Sequence, residues 1–448
     1  MKNGKTVLGI HDGHNASVAL LVDGKITYAF SEERLARVKN KGGFPKLSIK
    51  RLLSDSDLTL SEIDLIAFCH RTTPKDIFYD RDKILERYRS QVFPEKNDKK
   101  SLFKKAQRKL SHGSSSKREE KTDIEKNNKR LESLKNIGDY DCEVLFLDHH
   151  ECHGASAYYS SGSFDKKILC ITNDGAGDGL CGTVSICENG DMKRIASIKQ
   201  ENSFAHLYAR ATFVLGMVPL EHEYKLMGMA PYGNQKIAKK LANKLLDRFE
   251  FPEQNKLIWK IKDDLPPTST WIPYLQELFT LVRFDIVAAT LQQFIEIIAI
   301  KWIKRVVAET DVHDLVIAGG TFMNVKLNKL ILDLPEVNSL FIMPSCADES
   351  LSIGSAYVGG RMLEKDINKI HPLKDLYLGP LYPLSELENI INKFSFKGNV
   401  NIEKCDNIEQ QVGELLAEGE IVATYFGREE FGARALGNRS ILSDLSLI

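Results

Sequence analysis

The chain has 448 residues and carries 61 basic and 61 acidic side chains, so its formal net charge at neutral pH is zero. This length predicts two or three domains with room for a large core. A balanced charge gives no sign of a surface dedicated to nucleic acid or to an anionic membrane. We therefore expect no membrane partner, and the composition does not favour a nucleic-acid partner.

The eight cysteines are scattered, with no Cys-x-x-Cys pair and no paired zinc spacing. Several lie in apolar, strand-like contexts, as Cys69 and Cys170 do. This usage predicts reduced thiols and not a disulfide framework. The first residues contain no apolar signal region, and we expect no apolar run long enough to cross a membrane. These features together predict a cytoplasmic protein.

The chain opens with a strand, a polar glycine loop at 11–15, a second strand, an Asp-Gly turn and a third strand. The same order recurs from 167 onward, with a polar glycine loop at 173–179. A hairpin with an acidic glycine loop, used twice, predicts two related halves that face a cleft. Such loops offer backbone N–H groups to phosphate and carboxylates to a metal, although either loop alone is compatible with a plain turn.

Two histidines, His149 and His153, follow a predicted strand at 144–147. On a helix, a spacing of four residues places both imidazoles on one face, one above the other. A metal ion is the usual reason for such a pair. The alternative is a polar helix face that carries two unrelated histidines.

Residues 80–140 are highly charged, poor in apolar side chains and serine-rich at 111–116. This composition predicts an exposed helical insertion with a flexible break. A long helix is predicted from near 284 to 309 by its apolar spacing. A buried strand at 315–318 is then followed by Gly319 and Gly320 at a helix start, which is typical of a nucleoside or phosphate site.

From about 371 the strand and helix pattern restarts, and the last motif contains three arginines among glycines. Arginine-rich glycine loops bind anions, although a solvated basic loop has the same composition. The arginines are Arg428, Arg434 and Arg439. Because few residues follow this motif, we expect an incomplete second domain with too little chain for its own core.

Six stretches, in this order, resemble the O-carbamoyltransferases of the NodU/CmcH family. They are residues 9–17, 31–34, 149–157, 223–228, 319–325 and 432–439. Each motif is weak alone, but the set covers nearly the whole chain and is specific. Two positions depart from the family pattern, because Ala433 replaces a usual proline and Asp178 a common glutamate.

The resemblance implies an α/β protein whose residues 1–370 form an actin-like ATPase domain (ASKHA, a duplicated ribonuclease H-like fold), similar to TsaD. It implies that residues 371–448 begin a YrdC-like α/β domain. Such enzymes make carbamoyl-adenylate from ATP and carbamoyl phosphate. They then transfer the carbamoyl group to a hydroxyl of a small acceptor, here expected to be a natural product or a sugar.

The family's site residues map onto this chain motif by motif. The implied metal ligands, for Fe(II) first with Mn(II) or Zn(II) as alternatives, are His149, His153, Asp174 and Asp348. The implied nucleotide-binding residues are Gly175, Gly177, Gly319, Gly320, Asn324 and Asn328. The implied catalytic residues are His14, as general base, and Lys39 and Lys225, which meet phosphate. The implied carbamoyl-phosphate ligands are Arg428, Arg434 and Arg439.

Two other functions fit the fold. A non-catalytic actin-like scaffold would bind nucleotide without needing four metal ligands. A TsaD-like partner in tRNA modification is disfavoured by the C-terminal Arg-Ala-Leu-Gly motif and by the lack of a basic surface signature. We expect either that the chain is a fragment or that a second chain supplies the rest of the YrdC-like domain and with it the adenylate. A homodimer is the other partner state that we consider.

Overall fold

The computed structural model describes residues 4–72, 81–92 and 115–444, with the side chains of 115–123 and 384 left aside. Two five-stranded sheets form its centre. The strands in chain order are β1 Thr6–His11, β2 Ser17–Val22, β3 Lys25–Ser31, β4 Leu65–Phe68, β5 Glu143–Phe146, β6 Ile168–Gly177, β7 Leu180–Glu188, β8 Asp191–Lys199, β9 Phe249–Glu250, β10 Lys260–Ile261, β11 Asp314–Ala318, β12 Ser339–Ile342, β13 Val422–Tyr425 and β14 Arg439–Leu442.

Helices cover both sheets. In chain order they are α1 Glu32–Ala36, α2 Lys46–Asp55, α3 Arg81–Val92, α4 Ser115–Lys135, α5 His149–Ser161, α6 Ala205–Val214, α7 Glu223–Met229, α8 Gln235–Leu246, α9 Ile272–Leu278, α10 Phe284–Thr310, α11 Val325–Leu332, α12 Leu351–Leu363, α13 Leu384–Lys393 and α14 Ile408–Ala417.

The two sheets repeat one topology. The first has the order β3-β2-β1-β4-β5 and the second the order β8-β7-β6-β11-β12. In each sheet the first three strands form an antiparallel meander, and the last two run parallel to the first. This order is the ribonuclease H-like one, and its duplication defines the actin-like ATPase fold. The prediction of two related halves is confirmed.

Helices α5 and α12 lie between the sheets. Helix α5 contacts β6, β7 and β11, while α12 contacts β1, β2 and β4, and the two helices contact each other. Their backbones approach closely at Gly354, where a Cβ would lie 1.9 Å from the carbonyl oxygen of Cys152. Only glycine fits such a contact. This close packing fixes the position of α5 relative to both halves.

Helix α10 was predicted from near 284 to 309, and its observed bounds confirm the prediction. By length and composition alone this helix is apolar enough to cross a membrane, so the expectation that no apolar run is long enough is wrong on that measure. However, 67% of its most hydrophobic window is buried inside the protein. A mostly buried core helix meets the same test of length and hydropathy.

The charged insertion is anchored at both described helices. In α3, Ile84 and Tyr88 pack against Ala209 and Ile272 of the second half. In α4, Leu134 is buried in the core of the first half. A wholly exposed insertion is therefore not what forms. Of the predicted serine-rich break, residues 111–114 lie outside the described part of the chain, and α4 begins at Ser115.

The C-terminal segment is joined to the first half at strand β3. The Ala29 N–H donates to the carbonyl oxygen of Leu378, and Phe431 is almost fully buried. By contrast, α13 and α14 bury none of their described side chains. The described segment thus has little core of its own. That it begins a YrdC-like domain stays a prediction.

Candidate metal and nucleotide site

The histidine helix α5 is positioned at its N-terminus by two aspartates. The Asp148 side chain caps the helix by accepting a hydrogen bond from the Glu151 N–H at 3.0 Å. The His149 N–H donates to Asp178 Oδ2 at 2.9 Å, and the Arg71 N–H donates to the same oxygen at 3.2 Å. Sequence reasoning noted Asp178 only as a departure from the family pattern. Its role depends on contacts with His149 and Arg71, which are distant in sequence, so no local pattern reveals it.

The four predicted ligands do converge. His149 Nε2 lies 3.2 Å from Asp174 Oδ2 and 4.0 Å from Asp348 Oδ1. His153 Nε2 lies 3.6 Å from Asp174 Oδ2 and 3.5 Å from Asp348 Oδ1. The ligand atoms of all four residues lie within 4.8 Å of one another. Helix spacing thus brings the imidazoles together, while β6 and the loop after β12 deliver the carboxylates.

The electrostatics of this cluster favour a cation. Burial disfavours the charge on Asp174, but the adjacent imidazoles of His149 and His153 hold the pKa of Asp174 well below its usual value. Burial and then the charge of Asp174 raise the pKa of Asp348 well above its usual value. The ligand oxygens of Asp174 and Asp348 lie within 4.8 Å of each other. Two carboxylates this close do not both ionise at neutral pH unless a positive charge compensates them.

The residues fit a divalent metal ion. Within the described residues, the buried Nε2 atom of His153 has no hydrogen-bond partner. Two imidazoles and two carboxylates, with nitrogen to oxygen distances of 3.2 to 4.0 Å, form a donor set that suits Fe(II), Mn(II) or Zn(II). Metal binding by this set stays a prediction.

The predicted nucleotide loop lies against the metal cluster. Gly319 has a φ of 108°, and a Cβ there would lie 2.2 Å from the carbonyl oxygen of Asn173. A Cβ on Gly320 would lie 2.9 Å from Asp174 Oδ1. The two glycines therefore let the loop after β11 approach the end of β6, so a ligand of this loop would border the cluster.

The two predicted asparagines, Asn324 and Asn328, differ in whether the side-chain oxygen already has a hydrogen-bond partner. Asn324 caps α11 by accepting from the Leu327 N–H, and its amide donates to Gln292 Oε1 at 2.8 Å. Asn328 donates to the carbonyl oxygen of Phe322, while its buried Oδ1 has no hydrogen-bond partner within the described chain. Asn328 is thus the asparagine with an acceptor available to a ligand.

The second glycine loop surrounds Asp174. The Gly175 N–H donates to Asp174 Oδ1 at 2.6 Å. At Gly177 a Cβ would lie 2.1 Å from the His149 ring, so a glycine is needed there for the ring to reach the cluster. His206, which sequence reasoning did not single out, borders the same loop opposite Gly175. Nucleotide binding by Gly175 and Gly177 stays a prediction.

The first glycine loop brings His14 within reach of the charges of Asp174 and Glu33. Burial lowers the pKa of His14 from 6.5 to about 4, although the charges of Asp174 and Glu33 oppose this shift. The prediction of a general base assumed an imidazole that titrates near neutral pH, whereas burial lowers the pKa of His14 here. The role of His14 stays a prediction. At neutral pH His14 is uncharged and keeps a nitrogen lone pair for a proton.

The predicted basic groups divide into two locations. Lys39 Nζ is exposed and pairs with Glu33 at 3.1 Å. Lys225 Nζ lies 5.9 Å from the centre of the Tyr224 ring, and the Arg434 guanidinium lies 5.3 Å from the same ring. Arg434 of the C-terminal motif and Lys225 therefore both lie near the Tyr224 ring.

The other two arginines are used as anchors. Arg428 donates to the backbone carbonyl oxygens of Gly379, Thr27 and Leu378. Arg439 donates to the carbonyl oxygen of Phe426 and stacks over an aromatic ring of β13. The hydrogen bonds of Arg428 and Arg439 therefore do not indicate a common anion pocket lined by all three arginines. Anion binding by Arg434 stays a prediction.

The fold and the cluster define a two-lobed α/β protein with a histidine and carboxylate centre in its cleft. A family model described as carbamoyltransferase N-terminus matches residues 6–357, and one described as carbamoyltransferase C-terminus matches residues 413–446. Since the first match alone spans more than half of the sequence, the chain belongs to the carbamoyltransferase family.

Curated relatives agree with this membership. The chain is 30% identical to a Methanocaldococcus jannaschii uncharacterized protein over 67% of this chain and 51% of the relative. It is 26% identical to nodulation protein NolNO of Sinorhizobium fredii over 96% of this chain and 58% of the relative. It is 29% identical to nodulation protein NolO of Bradyrhizobium diazoefficiens over 66% of this chain and 53% of the relative. The chain thus spans little more than half of these relatives.

The similarity to solved structures is weaker than the similarity to these relatives. A full-length HypF in a phosphate- and nucleotide-bound form aligns with a TM-score of 0.39 and 13% identity, covering 80% of this chain and 56% of HypF. The Clostridium difficile activator of 2-hydroxyisocaproyl-CoA dehydratase, with bound ADPNP, aligns with a TM-score of 0.41 and 10% identity. The alignment covers 82% of this chain and 99% of the activator. The fold assignment therefore rests on the sheet topology.

Proposed function

We propose that this chain transfers a carbamoyl group from carbamoyl-adenylate to a hydroxyl of a small acceptor, with the adenylate made from ATP and carbamoyl phosphate. The observation that carries the proposal is the contact between the Gly319-Gly320 loop and Asp174. It puts a nucleotide-type loop directly beside a metal-type cluster. Family membership supports carbamoyl transfer in general. A natural product or a sugar is the acceptor class we propose.

His149, His153, Asp174 and Asp348 would hold the divalent ion, with Fe(II) as the first candidate. When bound, such an ion supplies Lewis-acid polarisation of the carbamoyl carbonyl, which lowers the cost of charge that builds in the transition state. The residues themselves contribute rigidity, because both imidazoles are fully buried on a helix held by Asp178.

The nucleotide part of the donor would lie along the loop after β11. Backbone N–H groups there would face phosphate, as at other glycine-rich strand-to-helix turns. The unpaired Asn328 Oδ1 would accept a hydrogen bond from the nucleoside. Lys225 and Arg434, which both lie near the Tyr224 ring, would compensate phosphate charge. Lys39 remains a weaker candidate because Glu33 already pairs with it.

His14 would take the proton of the acceptor hydroxyl. As that oxygen bonds to the carbamoyl carbon, the bond from this carbon to the adenylate phosphate oxygen breaks, and AMP leaves. A ring nitrogen of neutral His14 accepts the proton. The charges of Asp174 and Glu33, which raise the pKa of His14, would stabilise the imidazolium that results.

Adenylate formation and carbamoyl transfer are separate activities, and two assays distinguish them. Pyrophosphate release from ATP and carbamoyl phosphate reports adenylate formation, and we expect little from this chain alone. Mass spectrometry of candidate alcohols, incubated with an added source of carbamoyl-adenylate, reports transfer. We expect a carbamoylated product with wild type and none with His149→Ala. Robust pyrophosphate release would refute the first expectation. Absence of any product across donors and acceptors would favour the nucleotide-binding scaffold.

The proposed partners follow from the separation of carbamoyl transfer and adenylate formation between two domains. We propose residues 1–370 as the transfer domain and residues 371–448 as part of a domain for carbamoyl phosphate. A homodimer, or a second chain that completes the donor site, would then restore adenylate formation. Sedimentation analysis with and without ATP and carbamoyl phosphate measures whether copies of this chain associate.

A further inference from the structure

A second group of potential ligands lies outside the cluster described above. His11 ends β1, and Cys69 and His70 directly follow β4. One ligand atom from each of these residues lies within 4.8 Å of the others. All three are buried, with His11 and Cys69 at 0% exposure and His70 at 7%. Adjacent parallel strands therefore present one thiol and two imidazoles to a shared enclosed space.

The hydrogen bonds orient His11 as a metal ligand. Its Nε2 lies 2.6 Å from the His14 carbonyl oxygen, which can only accept, so Nε2 carries the proton. The Nδ1 lone pair therefore faces Cys69 Sγ, at 3.1 Å. Metal-binding histidines characteristically ligate through one ring nitrogen and donate the other N–H to a carbonyl oxygen.

His70 supplies the third donor. Its Nε2 is buried and has no hydrogen-bond partner among the described residues. A Cβ on Gly13 would lie 3.2 Å from His70 Nε2 and 2.6 Å from the His11 ring, so both imidazoles crowd the same glycine. An unpaired imidazole nitrogen in such a place costs free energy, and a bound ion removes that cost.

The surroundings determine the charge that the site tolerates. Burial lowers the pKa of His11 to about 3 and raises that of Cys69 well above its usual value. The Cys69 thiol therefore carries its proton when no ion is bound. The nearby Arg130 is already paired with Asp12 at 2.7 Å. Ion binding would release the Cys69 proton to solvent, and the resulting thiolate would offset one positive charge.

We propose that His11, Cys69 and His70 bind a second metal ion, of the thiolate-binding class for which zinc is the first choice. One thiolate with two imidazoles suits zinc, whereas the α5 cluster offers two nitrogens, two oxygens and no sulfur, with Fe(II) as its first candidate. The sites adjoin, because the His70 ring centre lies 5.3 Å from that of His11 and 4.8 Å from that of His149. This inference holds whether or not the chain transfers carbamoyl groups.

The second ion would fix the first glycine loop. Through the Nε2–H of His11 it would tether the His14 backbone, and through the other two ligands it would bind that loop to the end of β4. Under the proposed function, the second ion would thus position His14 without touching the reacting groups. The nearby α5 cluster would keep its own ion independently.

The test uses cobalt(II) as an optical probe in the full chain. Thiolate ligation gives cobalt a charge-transfer band in the near ultraviolet, and the α5 cluster contains no sulfur ligand. We expect the band in wild type and in His149→Ala, and its loss in Cys69→Ser. The matched control is Cys152→Ser, which removes the other buried thiol that packs beside Cys69. It should keep the band. A band that survives Cys69→Ser, or none in wild type, would overturn the proposal.

X-ray absorption at the zinc edge of wild-type protein needs no substitution, so it decides the matter even where a variant does not fold. We expect one sulfur scatterer at about 2.3 Å. A zinc environment of nitrogen and oxygen alone would place zinc at the α5 cluster and refute the second site.

Discussion

The two halves of the molecule carry equivalent loops with different chemistry. In the first sheet Ile10 pairs with Phe68, and in the second Thr172 pairs with Ala318. When these central parallel pairs are matched, Asp12 becomes the counterpart of Asp174. By the same match, the positions of Gly319 and Gly320 correspond to those of Cys69 and His70. The duplication therefore places an acid and a facing loop at both strand ends.

The surroundings give the two acids opposite roles. Asp12 accepts two hydrogen bonds from Arg130 of the insertion, both at 2.7 Å, and the pair is almost fully buried. Among the described residues no arginine or lysine pairs with Asp174, which faces His149 and His153. One acid is thus neutralised by the chain itself and ties the insertion to the first half. The other keeps its charge available for an ion and for chemistry.

The largest expected effect separates activity from stability. Asp174→Asn should lower carbamoyl transfer on the order of 10²–10³-fold, because it weakens the charge-stabilising centre. The free energy of unfolding should change by less than about 1 kcal/mol, since the asparagine keeps hydrogen-bonding capacity. Product yield by mass spectrometry and denaturant unfolding measure the two quantities. Full activity in the variant would contradict the role of Asp174.

The opposite pattern is expected for its counterpart. Asp12→Asn leaves the buried Arg130 charge unpaired and should cost about 3–5 kcal/mol in the free energy of unfolding. The double variant with Arg130→Met should recover much of that loss, because it leaves no buried charge. Urea unfolding of the single and double variants checks this. Equal losses in both would show that the charge pair is not what holds the insertion.

A smaller effect is expected at the turn that holds α5. Asp178→Gly removes the acceptor for the His149 N–H without backbone strain and should cost about 1–2 kcal/mol of stability. Metal affinity should fall about 10-fold, because the ligand helix loses its support. Asp178→Asn keeps an acceptor and a residue tolerant of the observed φ of 47°, so it is the matched control. Calorimetric metal titration would show equal affinities if Asp178 were irrelevant.

The smallest expected effect is in acid sensitivity. His14 has a pKa of about 4 in the folded chain and an ordinary value of 6.5. As pH falls from 6.5 to 4, the unfolded chain takes up a proton that the folded chain excludes, so stability is lost across this window. His14→Asn should therefore lose less stability between pH 7 and pH 5 than wild type. Identical losses would show that His14 is not held neutral.

Much of this architecture was predictable from local patterns. Period-two strands and turn residues indicated both hairpins, and the four-residue spacing of His149 and His153 indicated one helix face. Asp174 and Asp348 entered as metal ligands only through the family resemblance, because nothing local connects them to that helix. Their convergence depends on how β6 and the loop after β12 meet α5 in space.

Contacts between distant segments were beyond the sequence patterns. Arg130 lies in a stretch whose composition indicated an exposed helix, yet it pairs with Asp12, 118 positions earlier. Cys69 was taken for an ordinary buried strand residue. Its neighbour His11 is brought to it by the parallel register of β1 and β4, which no single strand specifies.

The most direct test of the central claim is the binding of iron to the α5 cluster. Anaerobic equilibrium dialysis against Fe(II) would use Cys69→Ser protein, so that the second site contributes nothing, with and without His153→Ala. The account predicts one bound ion per chain in the first protein and a loss of that ion in the second. Equal iron binding by both proteins would contradict it.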